Sequence, residues 1–302
     1  MRLRADDGEK AWLAWLRRTL IFLLGTAACC LLGVLGAGEM LSEPALRDVG
    51  EAPADLDARA VRFGVPGGGT VAAWCIHAVA GRGAVLLVHG VRADRRDMIL
   101  RARWLKGAGY SVLLIDLPSH GESSGDRITF GVDEAFGVKA ALSFMRSEFP
   151  GERIGAIGVS LGAASLVLAR PNPALDAAVL ESMFPTIDDA VADRLALHLG
   201  EASRSLAPLL LWQLPLRLGI RPEQIRPIDA LESFKAPVLV ASGGRDRHTE
   251  RAETEHIFAA AGEPKLLWIV EGAAHQDLYL YDRDAYETKV GGFLAHYLRA
   301  VP

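Results

Sequence analysis

Charge disappears from the chain between Leu20 and Gly38, and two dense apolar runs fill the gap, Ile21-Phe22-Leu23-Leu24 and Leu31-Leu32-Gly33-Val34-Leu35. About 20 such residues in a helix span the hydrocarbon core of a bilayer. Arg2, Arg4, Lys10, Arg17 and Arg18 stand before the run, and Glu39, Glu43 and Asp48 follow it with one Arg47. That asymmetry predicts a cytoplasmic tail over 1–18, a transmembrane helix over 19–38 and a domain on the extracytoplasmic side. The small residues Gly36-Ala37-Gly38 leave a cleaved signal segment as the second reading. Residues 39–58 carry Pro44, Gly50, Pro53 and many acids without a period, and read as a linker.

From residue 59 onward the pattern changes. Short apolar runs (Val71–Val79, Ala84–His89, Ser111–Asp116, Arg153–Val159, Ala177–Glu181, Pro237–Ser242, Lys265–Glu271) alternate with longer amphipathic stretches. Those stretches are Arg95–Gly107, Val132–Glu148, Leu161–Arg170, Glu250–Ala261 and Ala285–Leu298. Continuous apolar strands separated by helices predict an α/β domain over 59–302, with a mostly parallel sheet covered on both faces. Val61–Val65 and Val71–Val79, joined across Gly67-Gly68-Gly69, predict an antiparallel hairpin at the sheet edge. Residues 185–228 break the rhythm. They hold no strand pattern but two leucine-rich segments, Ala190–Leu199 and Leu206–Leu218, and read as a helical insertion that caps the strand ends.

Composition narrows the function. The 302 residues carry a net charge of −4 and no long basic run, which argues against a nucleic-acid partner. Of three cysteines, Cys29 and Cys30 lie in the apolar N-terminal run and Cys75 is alone beyond it, so the domain has no internal disulfide to lean on. Neither CxxC nor HExxH occurs, so no metal or other cofactor is expected.

The sharpest signal is Gly158-Val159-Ser160-Leu161-Gly162, placed where an apolar strand turns into a helix. The turn is too tight for side chains two positions either side of the serine. The strained backbone pushes the Ser160 hydroxyl into the cleft. The helix start offers free N–H groups, so the Leu161 amide is a candidate oxyanion donor. A serine needs a base in reach. Of eight histidines, His275 alone sits in a loop, Glu271–Ala274, that leaves the carboxyl end of the last strand. His77 falls in an early strand, His198 in the insertion, and His256 and His296 on helices; His248 lies only two residues past Asp246. Asp246, in Gly243-Gly244-Arg245-Asp246, occupies the equivalent place one strand earlier and is the candidate acid. Asp277 and Asp282 are close to His275 in sequence and less able to reach its far side. Val88-His89-Gly90-Val91 ends another strand; the Val91 N–H is the second candidate oxyanion donor, with His89 shaping the loop.

These residues resemble the α/β-hydrolase superfamily, in particular its lipase- or esterase-like and serine aminopeptidase-like members, over about residues 60–302. The resemblance rests on Leu87-Val88-His89-Gly90, on Asp116–Ser123, on the Ser160 pentapeptide, on Ala236–Leu239 with Gly243–Asp246, and on Gly272-Ala273-Ala274-His275. It implies an eight-stranded sheet with a helical cap, catalytic Ser160, Asp246 and His275, and an oxyanion hole from Val91 and Leu161. The loop usually written D-x-R-G-H-G-x-S departs from the pattern, with Pro118-Ser119 in place of Arg-Gly. The resemblance implies a small-molecule ester or other acyl substrate, cleaved through an acyl-enzyme. A peptidase anchoring a substrate amine on Glu181, Asp188 or Asp189, and an acyltransferase, are the alternatives. A membrane-tethered binding protein on an inactive hydrolase fold is the reading outside enzymes, and the complete Ser, Asp and His order weighs against it.

Overall fold

The computed structural model describes residues 4–299. Arg2 of the expected tail and residues 300–302 of the expected domain lie outside the described residues. The chain divides into two units, residues 1–41 and 42–302. The described residues of the first belong to one long helix, Arg4–Ser42, longer at both ends than the expected 19–38. Within it, Lys10–Ser42 is apolar and long enough to cross a membrane, and a signal sequence near the N-terminus has the same character.

Among the described residues of the second unit ten strands are formed, β1 (Ala45–Leu46), β2 (Arg59–Gly64), β3 (Thr70–Ile76), β4 (Ala84–Val88), β5 (Ser111–Ile115), β6 (His120–Gly121), β7 (Ile154–Val159), β8 (Ala177–Glu181), β9 (Val238–Gly243) and β10 (Lys265–Val270). Eight of them make one sheet in the order β10-β9-β8-β7-β4-β5-β3-β2. Only the β2–β3 and β3–β5 pairs are antiparallel, so the expected edge hairpin and parallel centre are both present. The continuous apolar runs follow from burial on two sides. Leu86 and Val88 pack into one core, and Val85 and Leu87, pointing the other way, into a second.

Register decides where chemistry can gather. Val88 pairs with Gly158, Val159 with Glu181, and Val270 with Gly243. The carboxyl ends of β4, β7, β8, β9 and β10 therefore finish together, and the loops that leave them meet at one rim.

Within the leucine-rich segment 206–218 two short helices form, Ala207–Leu211 and Leu214–Leu218, each with a proline in its first turn, Pro208 and Pro215. Pro215 has no N–H to continue the earlier helix, so the chain restarts there. The stretch 39–58 carries local structure. Residues 39–42 complete the long helix. Next, β1 pairs with β6, Ala45 opposite His120, inside the Asp116–Ser123 loop. In that loop Ser119 adopts φ +63°, a left-handed conformation natural to the glycine it replaces. Its hydroxyl donates to the Arg127 carbonyl at 2.6 Å, which helps hold the conformation. Pro118 packs over Gly137, where a Cβ would meet its ring at 2.5 Å.

Candidate active site

Ser160 sits between β7 and the helix Leu161–Leu168 with φ +51° and ψ −111°. Such a backbone costs on the order of 1–3 kcal/mol in a non-glycine residue and persists only when neighbours hold it. Here they do. The Ser160 N–H donates to the Glu181 carbonyl at 2.8 Å. A Cβ on Gly158 would fall 2.7 Å from the Ala163 backbone, and one on Gly162 would fall 2.4 Å from the Val88 carbonyl oxygen. Both glycines of the pentapeptide are thus required by packing against specific backbone atoms.

His275 and Asp246 meet beyond the carboxyl ends of β10 and β9. His275 Nδ1 lies 2.8 Å from Asp246 Oδ2. The other carboxylate oxygen accepts the backbone N–H groups of His248 at 2.8 Å and Thr249 at 3.0 Å. Burial pushes the Asp246 carboxyl up, but the His275 hydrogen bond and charge and the two amides outweigh it, so the group stays below the usual carboxylate range. The two loops are locked together: Arg245 N–H donates to the Ala273 carbonyl at 2.8 Å, and a Cβ on Gly243 would stand 2.4 Å from that oxygen.

Ser160 and His275 line one cavity of about 360 Å³, together with Gly90, Val91 and Val159. Among the described residues no hydrogen bond joins the Ser160 hydroxyl to the His275 ring. The Gly90 loop approaches the serine closely, since a Cβ at Gly90 would be 3.8 Å from Ser160 Cβ. Leu161 opens its helix, so its N–H has no acceptor within that helix. His89 lies beneath this loop. Its Nδ1 donates to the Gly90 carbonyl at 2.7 Å and its Nε2 accepts the Leu117 N–H at 3.0 Å. Burial pulls its ring down to about 4, so it is neutral and serves as a strut.

Sequence reasoning set His248 aside, yet its ring lies 4.7 Å from that of His275 and lines the cavity. Burial lowers its pKa, and the His275 and Arg194 charges lower it further. Arg101, Arg194 and Asp97 also line the cavity and were not foreseen. The Arg101 guanidinium is buried and closed off, bonding Glu181 at 2.7 Å, Asp277 at 2.9 Å and the Tyr286 hydroxyl at 3.1 Å. Burial alone would lower its pKa, but Glu181, Tyr286 and Asp277 hold it well above the ordinary value. This network ties the end of β8 to the loop after His275. It also engages Glu181, while Asp189 bonds Thr186 at the start of its own helix. None of Glu181, Asp188 and Asp189 is among the residues lining the cavity. His77 lies just past β3 and pairs with Glu148 at 2.9 Å.

The site can be set beside known proteins. The sequence profile of the alpha/beta hydrolase family matches residues 85–288. An uncharacterized protein of Mycobacterium tuberculosis is 34% identical over 212 residues, 68% of each chain. The uncharacterized protein YqkD of Bacillus subtilis is 26% identical over 214 residues, 70% of each. Among solved structures, an esterase of Pyrococcus furiosus superposes with a TM-score of 0.70 at 23% identity, covering 84% of this chain and 99% of its own. A dienelactone hydrolase of Anabaena variabilis gives 0.58 at 20% identity, covering 80% and 98%. The profile spans every candidate residue from Val91 to His275, and the chain belongs to the α/β-hydrolase family.

Proposed function

We propose that this protein is a serine hydrolase that cleaves carboxylic esters, with Ser160 as nucleophile, His275 as general base and Asp246 orienting the ring. The observation that carries this reading is the 2.8 Å contact between His275 Nδ1 and Asp246 Oδ2 at a cavity that Ser160 lines. That contact fixes a proton on Nδ1 and leaves Nε2 with a lone pair for the Ser160 proton. An ionised Asp246 then stabilises the imidazolium that forms.

In the proposed cycle Ser160 Oγ attacks the ester carbonyl and its proton passes to His275 Nε2. The Val91 and Leu161 amides receive the oxyanion. The alcohol leaves with the proton returned from His275. Water, deprotonated by the same ring, then attacks the acyl-enzyme and releases the acid. The solved neighbours named as esterases support an ester substrate. So does the engagement of Glu181, which leaves it no free carboxylate for a substrate amine. Turnover of short p-nitrophenyl esters against aminoacyl amides tests the choice: esters are hydrolysed and amides are not, and faster amide turnover reverses the reading.

The apolar helix is read as a membrane anchor, with the N-terminus cytoplasmic and the hydrolase domain extracytoplasmic. Its support is the cluster of five cations before the apolar run and the acids after it. A reporter fused after residue 302, active only outside the cytoplasm, tests that orientation; a signal only inside contradicts it.

A further inference from the structure

One charged side chain in the cavity takes no part in the chemistry above. Arg194 stands on the helix Ile187–Leu199 of the insertion and lines the same cavity as Ser160, His248 and His275. Its hydrogen bond goes to its own helix, Nη1 to the Ala190 carbonyl at 2.8 Å. Among the described residues no carboxylate lies within ion-pair distance of it.

The acids around it are committed elsewhere. Asp193 is bonded by Arg204, and Asp246 by His275 and two amides. Burial draws the Arg194 pKa below its ordinary value, and the charges of Asp193 and Asp246 do not restore it. A half-buried guanidinium that lines the cavity with no carboxylate beside it is a favourable place for an anion in that cavity. The other charged residues lining the cavity are Arg101, Asp277 and Asp97. Arg101 is fully bonded, Asp277 is held by Arg101, and Asp97 is solvent-exposed. The Ser182 hydroxyl, buried and without a partner, lines the same cavity and adds a second donor.

We infer that Arg194 receives a carboxylate on the substrate, so that the preferred ester is a half-ester of a short dicarboxylic acid. This rests on the hydrolase reading. One guanidinium offers a planar fork of N–H groups and a single positive charge, which matches a carboxylate better than a dianionic phosphate. The cavity volume suits a short acyl chain. The assignment makes Arg194 a binding residue that selects substrate.

The test compares kcat/KM for mono-p-nitrophenyl glutarate and p-nitrophenyl valerate, which share a five-carbon acyl chain, using the full chain in detergent. The intact protein prefers the half-ester. In Arg194→Gln the ratio of half-ester to valerate falls about 10- to 100-fold, the effect expected for losing one charge-assisted hydrogen-bonded pair. Arg194→Lys keeps part of the preference, because the charge stays and the fork is lost. An intact protein with no preference, or an Arg194→Gln variant that loses both activities in equal proportion, overturns the inference. Valerate turnover with fluorophosphonate labelling of Ser160 but no half-ester preference overturns this inference alone. Absence of labelling and of turnover on both esters overturns the hydrolase reading beneath it.

Discussion

A methyl group on Gly162 would come within 2.4 Å of the Val88 carbonyl oxygen and 2.6 Å of that of His89. The start of the serine-bearing helix is therefore pressed against the strand end that carries the Gly90-Val91 loop. The same contact bears on the separation between the proposed nucleophile and the proposed oxyanion amide of Val91. Backbone atoms, unlike flexible side chains, have nowhere to retreat. Gly162→Ala is expected to destabilise the domain by about 1–3 kcal/mol, as overpacking does, and to cut ester turnover by more than its effect on folding. Thermal denaturation beside kcat/KM of the folded fraction checks this. Unchanged melting with unchanged turnover contradicts it.

Asp246→Asn tests the orienting acid. The amide at this position no longer enforces the tautomer with the proton on Nδ1, and it cannot stabilise an imidazolium. The expected loss in kcat is about 10⁴-fold, with circular dichroism unchanged. A loss under about tenfold places the acid elsewhere, Asp277 being the first alternative to examine.

The parallel strands were legible in the sequence because burial on both faces leaves them almost wholly apolar, as in Ala84–Val88 and, after its first residue Ser111, in Ser111–Ile115. The loops that follow them were legible through glycines whose need is steric. What the sequence did not reveal depends on orientation or on long-range backbone pairing. Ala45 and Leu46 pair through main-chain atoms with His120 and Gly121, and a two-residue strand has no period to read. Helical periodicity places Arg194 on a helix but does not say that its side chain meets the cavity. His248 was set aside for its closeness to Asp246, yet that closeness is what brings its ring against His275. The break between the two short insertion helices has a signal in Pro215, which the surrounding leucines mask.

Glu253 supplies a pH prediction. Burial first, then the hydrogen bond and charge of Asp193, raise its carboxyl from 4.5 to about 8. Asp193 Oδ2 is buried without a donor, and a proton on Glu253 supplies one. Between pH 4.5 and about 8 the folded chain then binds more protons here than the unfolded chain, so this site loses stability as pH rises through that window. Glu253→Gln carries a permanent donor and removes the loss. The fall in melting temperature from pH 5 to pH 8.5 is expected to shrink by about 2–4 °C for each kcal/mol recovered. Parallel melting curves for the two proteins across that range contradict the shared proton.

A fluorophosphonate probe followed by intact-mass and peptide mapping decides whether Ser160 is the nucleophile. One adduct is expected, on the peptide containing Ser160, with ester turnover lost in step with labelling. Ser160→Ala is expected to fold, to take no label and to hydrolyse no ester. A Ser160→Ala variant that still takes the label or retains full turnover rules Ser160 out as the nucleophile.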